Sequence, residues 1–352
     1  MPARFSLTRL IGFVAKTLAA VVLLTVATGA IYEQILQRRD RQRLPQVGRS
    51  VDIGGRSLNI FCSGEGNPAV IFDAGNGDPG YVWSDVQQAV GKRTRACWFD
   101  RAGEGWSDTG PFPRTSAAMS ADLHELLHRA SIPAPYILVG HSLGGLNARV
   151  YNGMYPGDVA GAVLVDAAHE DEPRRAPPIL LAHTAPRRFW HLIWIAGQVA
   201  RVTGLLRVLL PATTLPADPT KRTRAMIVSA LRNKPSAIAT QFDASLPESY
   251  AQAEHAPGFG DRPLIILTRG KVNTPPNPSD EDRQFAEYEQ LWQHEIQPKL
   301  ARLSTHGRQV IVQSSGHRIH EEAPEVVVAA VREVLADVRN LHHASLPRAT
   351  KH

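Results

Sequence analysis

The stretch Val139 to Gly145, VGHSLGG, decides how the chain is interpreted, because it places Ser142 between two glycines, each two residues away. The apolar run 136–139 leads into it, and a segment with apolar residues at helical spacing, 146–155, follows it. A serine at a sharp turn from a strand into a helix is raised above the edge of the sheet, where its hydroxyl is reactive. Glycines flank such a turn because side chains there would collide with the neighbouring backbone. The pattern therefore predicts Ser142 as a nucleophile rather than as a polar residue of a structural turn.

A serine nucleophile needs a general base, which in this arrangement follows the last strand of the sheet. The segment SSGHRIHEEAPE, 314–325, has this position, because it follows the strand pattern 308–313 and leads into a helical pattern. His317 is the predicted base. His320 is the alternative, and it is expected to face solvent or the start of the helix.

Short apolar runs alternate with helical patterns along most of the chain. The sequence shows no internal repeat. Helical spacing of apolar residues is clear in 117–130, 143–155 and 325–338. The alternation is typical of a mostly parallel sheet covered by helices, so the predicted fold class is α/β with an eight-stranded sheet. The predicted strands are 50–53, 57–62, 69–73, 95–99, 136–140, 161–165, 263–268 and 308–313.

One interval, 170–261, breaks the alternation, because it has helical segments separated by prolines and no convincing strand. Within it, 187–211 carries large apolar residues with arginines spaced among them. Such a basic amphipathic segment can lie on a membrane surface or cover an apolar pocket, and the alternative is an ordinary helical subdomain with a solvated charged face. The apolar residues that suggest a lipophilic ligand are Phe189, Trp190, Trp194, Leu205 and Leu206.

The first 37 residues form a separate segment. From Leu10 to Tyr32 the one charged residue is Lys16, and a helix needs roughly 20 apolar residues to cross a bilayer. We therefore expect residues 1–37 to be a single-pass membrane anchor. A cleaved signal peptide is the alternative, since basic residues precede the apolar run.

The net charge of +6 lies in residues 1–49, where eight Lys or Arg face two acidic residues. The rest of the chain has equal numbers of each sign, and the absence of a basic field argues against nucleic-acid binding. Residues 38–49 form a basic linker. By the positive-inside rule, its arginines 38–43 favour a large domain on the cytoplasmic side.

Two further stretches complete a specific pattern, FDAGNGD (72–78) after the third predicted strand and FDRAGEGWSD (99–108) after the fourth. Together with GHSLGG and SGH in this order, they make the chain resemble the α/β-hydrolase superfamily, including proline iminopeptidases, epoxide hydrolases and haloperoxidase-like esterases. The resemblance covers nearly all of residues 50–340. It implies a core of 50–169 and 262–342, a helical lid at 170–261 and a disordered tail at 343–352.

The resemblance also implies roles for individual residues. The oxyanion hole would consist of the backbone N–H groups of Asn76 and Leu143, while Asp100 and Arg101 would tie the loop after the fourth strand. The second and fourth strands are neighbours in that fold, so that a Cys62–Cys97 disulfide would be formed in an oxidising compartment. Two buried free thiols are the alternative. The side of the membrane stays open, with the disulfide favouring the extracytoplasmic side.

The acid that orients the base is the weakest part of the resemblance. Relatives usually place it after the seventh strand, but here 263–270 is followed by no carboxylate before Asp280 and Asp282. Asp166 stands at the end of the sixth strand, beside the nucleophile strand. A carboxylate near the imidazole fixes its tautomer whatever its place in the chain. Asp166 is the predicted acid, with Asp280 or Asp282, or a water-supported dyad, as alternatives.

These residues predict a serine hydrolase that cleaves a lipophilic carboxylic ester through an acyl-enzyme on Ser142, with His317 as base. Epoxide hydrolase and dehalogenase chemistry are disfavoured, because both need a carboxylate in place of this serine. The same groups would serve an acyltransferase or an aminopeptidase-like amidase, and a ligand-binding module without catalysis is a further alternative. No metal or cofactor is expected, since metal-ligand spacings and nucleotide-binding motifs are absent from the sequence.

Overall fold

The computed structural model describes residues 7–43, 45–177, 190–205, 207, 245–272, 275 and 277–345. Its strands are β1 (Arg49–Asp52), β2 (Ser57–Ser63), β3 (Ala69–Asp73), β4 (Ala96–Phe99), β5 (Tyr136–His141), β6 (Val159–Val165), β7 (Leu264–Arg269) and β8 (Gly307–Val312). The helices of the first half are α1 (Leu7–Arg43), α2 (Ser84–Gly91), α3 (Ser116–Arg129) and α4 (Leu143–Met154). Those of the second half are α5 (Glu172–Arg175), α6 (Trp190–Val202), α7 (Leu246–Glu254), α8 (Asp280–Leu291), α9 (Gln297–Ala301), α10 (Ile319–Glu322) and α11 (Pro324–Ser345).

The eight strands form one sheet in the order β1-β2-β4-β3-β5-β6-β7-β8. Strand β2 runs antiparallel to both of its neighbours, and every other pair is parallel. The eight-stranded, mostly parallel sheet predicted from the sequence is confirmed. Strands β3, β4 and β5 are buried along their whole length, as expected where helices cover both faces of a parallel sheet.

Two apolar cores fill the space between the sheet and its helices. One core lies against α3 and α4, with Leu126 and Tyr151 almost fully buried. The other lies against α2 and α11, with Trp83 and Val331 at its centre. Because each face is covered, the carboxyl ends of the parallel strands carry the loops that are free to hold a site.

Cys62 and Cys97 are directly opposite each other on the antiparallel strands β2 and β4, and they form a disulfide. Cross-strand neighbours bring their side chains close together, so the pairing needs no movement of the backbone. The alternative of two free thiols is therefore wrong in this structure.

Helix α1 has a stretch, Leu10–Arg39, that is long and apolar enough to cross a membrane, and its apolar window is not buried. The helix continues to Arg43 and so includes half of the segment predicted as a basic linker. Its far end contacts the region after α6, where Arg207 pairs with Glu33 at 2.9 Å and both residues are buried.

Segment 170–261, predicted as a lid, contains α5, α6 and α7 among its described residues. Phe189 and Leu206 lie outside the described residues, as do the side chains of Trp190 and Trp194. Leu205 is 52% exposed. At the other end of the chain, α11 runs to Ser345, so the first residues of the predicted tail are helical, and 346–352 lie outside the described residues.

Candidate active site

Ser142 joins β5 to α4 with a backbone conformation of φ 52° and ψ −116°. This region is unfavourable for residues with a side chain and costs on the order of 1–3 kcal/mol, which the surrounding structure must offset. The backbone is held on both sides, since the N–H of Ser142 donates to the carbonyl of Val165 at 3.2 Å and its own carbonyl accepts from Ala168 at 3.0 Å. The turn thus presents the serine at the carboxyl edge of the sheet.

The glycines around Ser142 are required by close backbone contacts. A Cβ on Gly140 would lie 2.2 Å from the carbonyl oxygen of Gly144. A Cβ on Gly144 would lie 2.4 Å from the carbonyl oxygen of Asp73, in the strand that leads to the predicted oxyanion loop. The GHSLGG pattern therefore sets the distance between the nucleophile turn and that loop.

His317 lies in the loop after β8, and its Nδ1 is 2.5 Å from Oδ2 of Asp166. The Asp166 side chain is fully buried, whereas that of His317 is 47% exposed. This bond occupies Nδ1 and leaves Nε2 as the ring atom that can exchange a proton with a nucleophile or a leaving group.

Asp166 follows β6 and accepts hydrogen bonds at both oxygens. Oδ1 accepts from the backbone N–H of Arg269 at 3.1 Å and from the indole N–H of Trp292 at 2.9 Å. Oδ2 accepts from Nη1 of Arg269 at 2.6 Å in addition to the bond with His317. Burial by itself raises the pKa of this carboxyl, but the Arg269 guanidinium and the bonds from His317 and Trp292 outweigh it and hold the pKa well below its usual range.

The other two candidate acids have different surroundings. Asp280 is 87% exposed and pairs with Arg283 at 2.5 Å. Asp282 forms a capping box with Ser279 at the start of α8, where its carboxylate accepts from the backbone N–H of Ser279 at 2.8 Å. Asp166 is thus the carboxylate that the structure brings to His317, while Asp280 and Asp282 serve the end of a helix.

Arg269 is a site residue that sequence reasoning missed. It is the last residue of β7, where relatives were expected to carry the acid, and it places a cation there instead. Its guanidinium makes a two-bond pair with Glu289, at 2.7 and 2.9 Å, and lies 4.6 Å from the centre of the Trp292 ring. A buried arginine between two carboxylates keeps Asp166 both oriented and ionised.

The predicted oxyanion donors stand on either side of the nucleophile turn. Leu143 is the first residue of α4 and is 7% exposed, whereas Asn76 is exposed in the loop after β3. Arg101 holds this loop, because its guanidinium donates to the carbonyls of Ala74 at 2.6 Å and Gly75 at 2.5 Å. Arg101 was expected to tie the loop after the fourth strand, whereas these two bonds hold the loop after β3.

Asp100, the neighbouring residue, holds the turn after β4. Its carboxylate accepts from the backbone N–H groups of Gly80 and Trp106, each at 2.8 Å, and from the side-chain amide of Asn59 at 3.0 Å. Three donors from separate segments fix the loop in place, as was expected for this residue.

The loop that carries His317 is fastened to the rest of the site. Burial, with the nearby charges of His320 and His317, holds the pKa of His141 well below its usual range, so the neutral ring donates from Nε2 to the carbonyl of His317 at 2.9 Å. Arg318 pairs with Asp78 of the loop after β3 at 2.9 Å. The base loop and the predicted oxyanion loop are thereby joined directly.

His320 was expected to face solvent or the start of the helix, and of these two places solvent is wrong. His320 is 2% exposed, lies in α10, and packs between the rings of Trp83 and His141 at centroid distances of 4.6 and 4.4 Å. Burial, together with the charges of Arg318 and His317, holds its pKa well below its usual range. The aromatic ring of Trp83 comes from a distant segment, which the local sequence could not indicate.

Among the residues that the structure describes, no group of three or more His, Cys, Asp or Glu side chains is arranged to hold a metal ion. The site therefore offers a serine, an imidazole and a carboxylate, with backbone N–H groups nearby.

Residues 70–330 match the alpha/beta hydrolase family. The chain belongs to this family. The match covers most of the sheet and both loops described above.

Curated relatives share parts of this chain. A transporter-named protein of Hormonema carpetanum, efuK, is 34% identical over 166 residues, which are 45% of this chain and 23% of that protein. An uncharacterized vacuolar membrane protein of Saccharomyces cerevisiae is 34% identical over 108 residues, which are 30% of this chain and 17% of that protein. The chain spans half or less of the length of the first curated relatives that it matches.

Among solved structures, an esterase from Thermogutta terrifontis is similar with a TM-score of 0.51 at 20% identity, over 82% of this chain and 98% of that one. At this identity the likeness establishes the fold alone.

Proposed function

We propose that the protein is a membrane-anchored serine hydrolase that cleaves carboxylic esters with lipophilic acyl groups. The observation that carries the proposal is the 2.5 Å contact of His317 with buried Asp166, at the same sheet edge as the Ser142 turn. An imidazole held by a buried carboxylate is what a serine needs to act as a nucleophile.

The reaction follows from these groups. Nε2 of His317 takes the hydroxyl proton of Ser142, whose oxygen bonds to the ester carbonyl carbon. The backbone N–H groups of Asn76 and Leu143 donate to the resulting oxyanion, and each such donor stabilises the transition state by roughly 3 kcal/mol. The bond to the leaving alcohol then breaks as His317 returns the proton to it. In the second half the same imidazole deprotonates a water molecule, whose oxygen bonds to the acyl carbon; the bond from this carbon to Ser142 breaks as His317 returns the proton to the serine oxygen, and the acid is released. Asp166 stabilises the charged imidazole in both halves.

The lipophilic substrate is inferred from the described part of the lid. Helix α6 exposes three aliphatic side chains, Leu192, Ile195 and Val199, each at least half exposed. Apolar surface of this kind on a helix of the predicted lid, 170–261, suits an acyl chain or a lipid surface.

The membrane anchor is inferred from α1, and the lid adjoins it. Gly29 approaches the backbone of Thr203 so closely that a Cβ would lie 2.5 Å from its carbonyl oxygen. The buried Glu33–Arg207 pair joins the same two segments. The Cys62–Cys97 disulfide supports an extracytoplasmic catalytic domain, although the arginines 38–43 favour the opposite orientation. Protease treatment of intact cells and of lysed cells tests the side: digestion of the domain in intact cells is expected, and protection would place it in the cytoplasm.

The activity is tested with the full chain in detergent and a series of p-nitrophenyl esters from acetate to palmitate. We expect turnover that rises with chain length, and loss of turnover in Ser142→Ala, because no other group replaces the nucleophile. Ser50→Ala, at an exposed position on β1, is the matched control and is expected to behave like the wild type.

Two further results bear on the proposal. A fluorophosphonate probe is expected to label the wild type and not Ser142→Ala, and an unlabelled wild type would favour a binding module instead. Turnover restricted to acetate would contradict the lipophilic acyl group while leaving the serine mechanism in place.

A further inference from the structure

Helix α6 carries an exposed stripe of aliphatic side chains. Its members lie three or four residues apart and therefore share one face of the helix: Leu192, Ile195, Val199 and Val202. Each is between 37 and 62% exposed. Among the 13 residues of α6, Arg201 is the one Lys, Arg, Asp or Glu. Apolar surface of this kind is unfavourable in water, so the stripe is expected to meet a partner of low polarity.

The far end of α6 meets α1, the helix that is proposed to cross the membrane. Thr203 follows α6 directly, and a Cβ on Gly29 of α1 would lie 2.5 Å from its carbonyl oxygen. One helical turn further along α1, Glu33 pairs with Arg207. Because residues four apart share a face of a helix, both contacts come from the same side of α1. Glycine at such a crossing lets two backbones approach closely, as is common between helices in a bilayer.

The place of this contact along α1 sets the depth of α6 in a membrane. The apolar run from Leu10 to Tyr32 has 23 residues. As a helix it is about 35 Å long, and the hydrocarbon core of a bilayer is about 30 Å thick. Gly29 belongs to the last turn of the run, and Glu33 follows the run directly. The end of α6 therefore lies at the edge of the hydrocarbon core, where the acyl chains meet the headgroups.

The length of α6 limits how the helix can be placed from there. Its 13 residues make a helix of about 20 Å, whereas crossing a bilayer needs roughly 20 residues. A direction away from the bilayer would leave the aliphatic stripe in water. A helix that lies along the membrane surface instead buries its apolar face about 5–10 Å into the boundary between headgroups and acyl chains. The stripe and the depth of the contact with α1 both favour this placement.

The Glu33–Arg207 pair suits a place of low polarity. Both side chains are almost fully buried. Nη2 of Arg207 donates to Oε1 of Glu33 at 2.9 Å, and Nε of Arg207 donates to the other oxygen. Gln37, one turn further along α1, donates to Oε1 as well, at 3.0 Å. A charged group at the level of a membrane is costly unless it is paired, and an arginine bonded twice to a carboxylate offsets that cost. The pair therefore fixes the end of α6 to α1.

We propose that α6 is an interfacial membrane helix, whose aliphatic stripe lies on the acyl chains of the bilayer that α1 crosses. The Glu33–Arg207 pair holds it at that depth. The inference rests on the membrane anchor of the proposed function and goes beyond it, because it gives the predicted lid a membrane contact of its own. The partner of the stripe is thus a lipid bilayer rather than a protein or a dissolved acyl chain.

The test uses single-cysteine variants of the full chain in phosphatidylcholine vesicles, each labelled with the fluorophore NBD. The native cysteines do not react, because they are joined in a disulfide. Three variants report on the stripe: Leu192→Cys, Ile195→Cys and Val199→Cys. Leu18→Cys, at an exposed position within the apolar run of α1, is the reference for the membrane span. Leu341→Cys, at an exposed position on α11, is the matched control for a leucine in water.

Lipid brominated near the headgroup end of its acyl chains is expected to quench the three probes on α6, and lipid brominated near the chain ends should quench the probe at position 18. Iodide in the buffer should quench the probe at position 341 alone. Quenching of the α6 probes by iodide would place the stripe in water and overturn the proposal. Protection of these probes from both quenchers would mean that protein covers the stripe, which overturns it as well. A probe at position 18 that no lipid quenches would count against the anchor itself.

The ion pair is tested by adding Glu33→Gln to the labelled Val199→Cys variant. The buried Arg207 then lacks this carboxylate, so we expect the probe to lose quenching by brominated lipid and to gain quenching by iodide. Glu287→Gln, at an exposed position on α8, is the matched control and should change neither. Unchanged quenching in folded Glu33→Gln would overturn the role of the pair. These measurements need no turnover, so a failure of the proposed ester hydrolysis would be seen separately.

Discussion

Replacing Asp166 by asparagine is the most direct test of how the site is held together. The amide oxygen can keep the place of Oδ1, where it accepts from the backbone N–H of Arg269 and from Trp292. The amide NH2 then takes the place of Oδ2. In the wild type this oxygen lies 2.6 Å from Nη1 of Arg269 and 2.5 Å from Nδ1 of His317, so the two nitrogen atoms now face a donor in place of an acceptor. His317 can bond to it only through an unprotonated Nδ1, which puts the proton on Nε2.

The size of the effect follows from this tautomer. A histidine with a proton on Nε2 cannot deprotonate Ser142, so kcat for a p-nitrophenyl ester is expected to fall on the order of 10³-fold to 10⁴-fold. The fall corresponds to a barrier higher by ~4–5 kcal/mol. Stability is expected to drop as well, by about 3–5 kcal/mol, because the buried Arg269 loses one of its two carboxylates.

The assay measures kcat per mole of folded protein, with the folded fraction taken from near-ultraviolet circular dichroism at each temperature. Asp280→Asn and Asp282→Asn are the matched controls, and both are expected to retain kcat within about twofold, since these residues serve α8. Folded Asp166→Asn with more than a tenth of the wild-type kcat would refute the reasoning. A large loss in either control would return the acid to α8.

Three further predictions concern stability. Glu104 lies in the turn after β4, and burial raises the pKa of its carboxyl from 4.5 to about 7 in the folded protein. The stabilising effect of the protonated carboxyl is therefore complete below pH 4.5 and is lost as the pH rises to 7. In thermal unfolding, Glu104→Gln should therefore be more stable than the wild type at pH 8.5, by at most about 3 kcal/mol. Near pH 4.5 the two proteins should be equally stable, and a gain in stability that is independent of pH would contradict this. Cys62→Ser with Cys97→Ser should lose about 2–4 kcal/mol in denaturant unfolding, and reductant should then have no further effect on the variant. Gly144→Ala should lower the free energy of unfolding by more than about 2 kcal/mol and abolish most activity, because its Cβ would collide with the backbone of Asp73. Gly157→Ala, which has open space around it, should match the wild type in both assays.

Local patterns were sufficient to predict most of the fold. Strands such as β3 and β5 are buried on both faces, so they stand out as apolar runs in the sequence. The turn at Ser142 was predictable for a similar reason, because the glycines that make room for it, Gly140 and Gly144, each lie only two residues away in the chain.

The environment of the acid could not be predicted in this way. Asp166 is held by Arg269 and Trp292, which are 103 and 126 residues away in the chain. A local pattern carries no information about such partners, because their approach depends on how β6, β7 and the segment after α8 pack. The burial of His320 against Trp83 depends on packing in the same manner.

The disulfide between β2 and β4 has a mechanical consequence for the tether proposed for α1. Tension in the tether enters the sheet at Arg49, on the edge strand β1, which pairs with Ile60 of β2. Hydrogen bonds of an edge strand loaded at its end break one after another, so β1 alone would peel away under a small force. Once β1 has separated, the load passes to Ser57 and pulls β2 away from β4. That separation can go no further than Cys62, two residues beyond Ile60, because the disulfide to Cys97 holds the two strands together. The covalent bond therefore lies between the proposed tether and the central strands of the sheet, which carry the Ser142 turn.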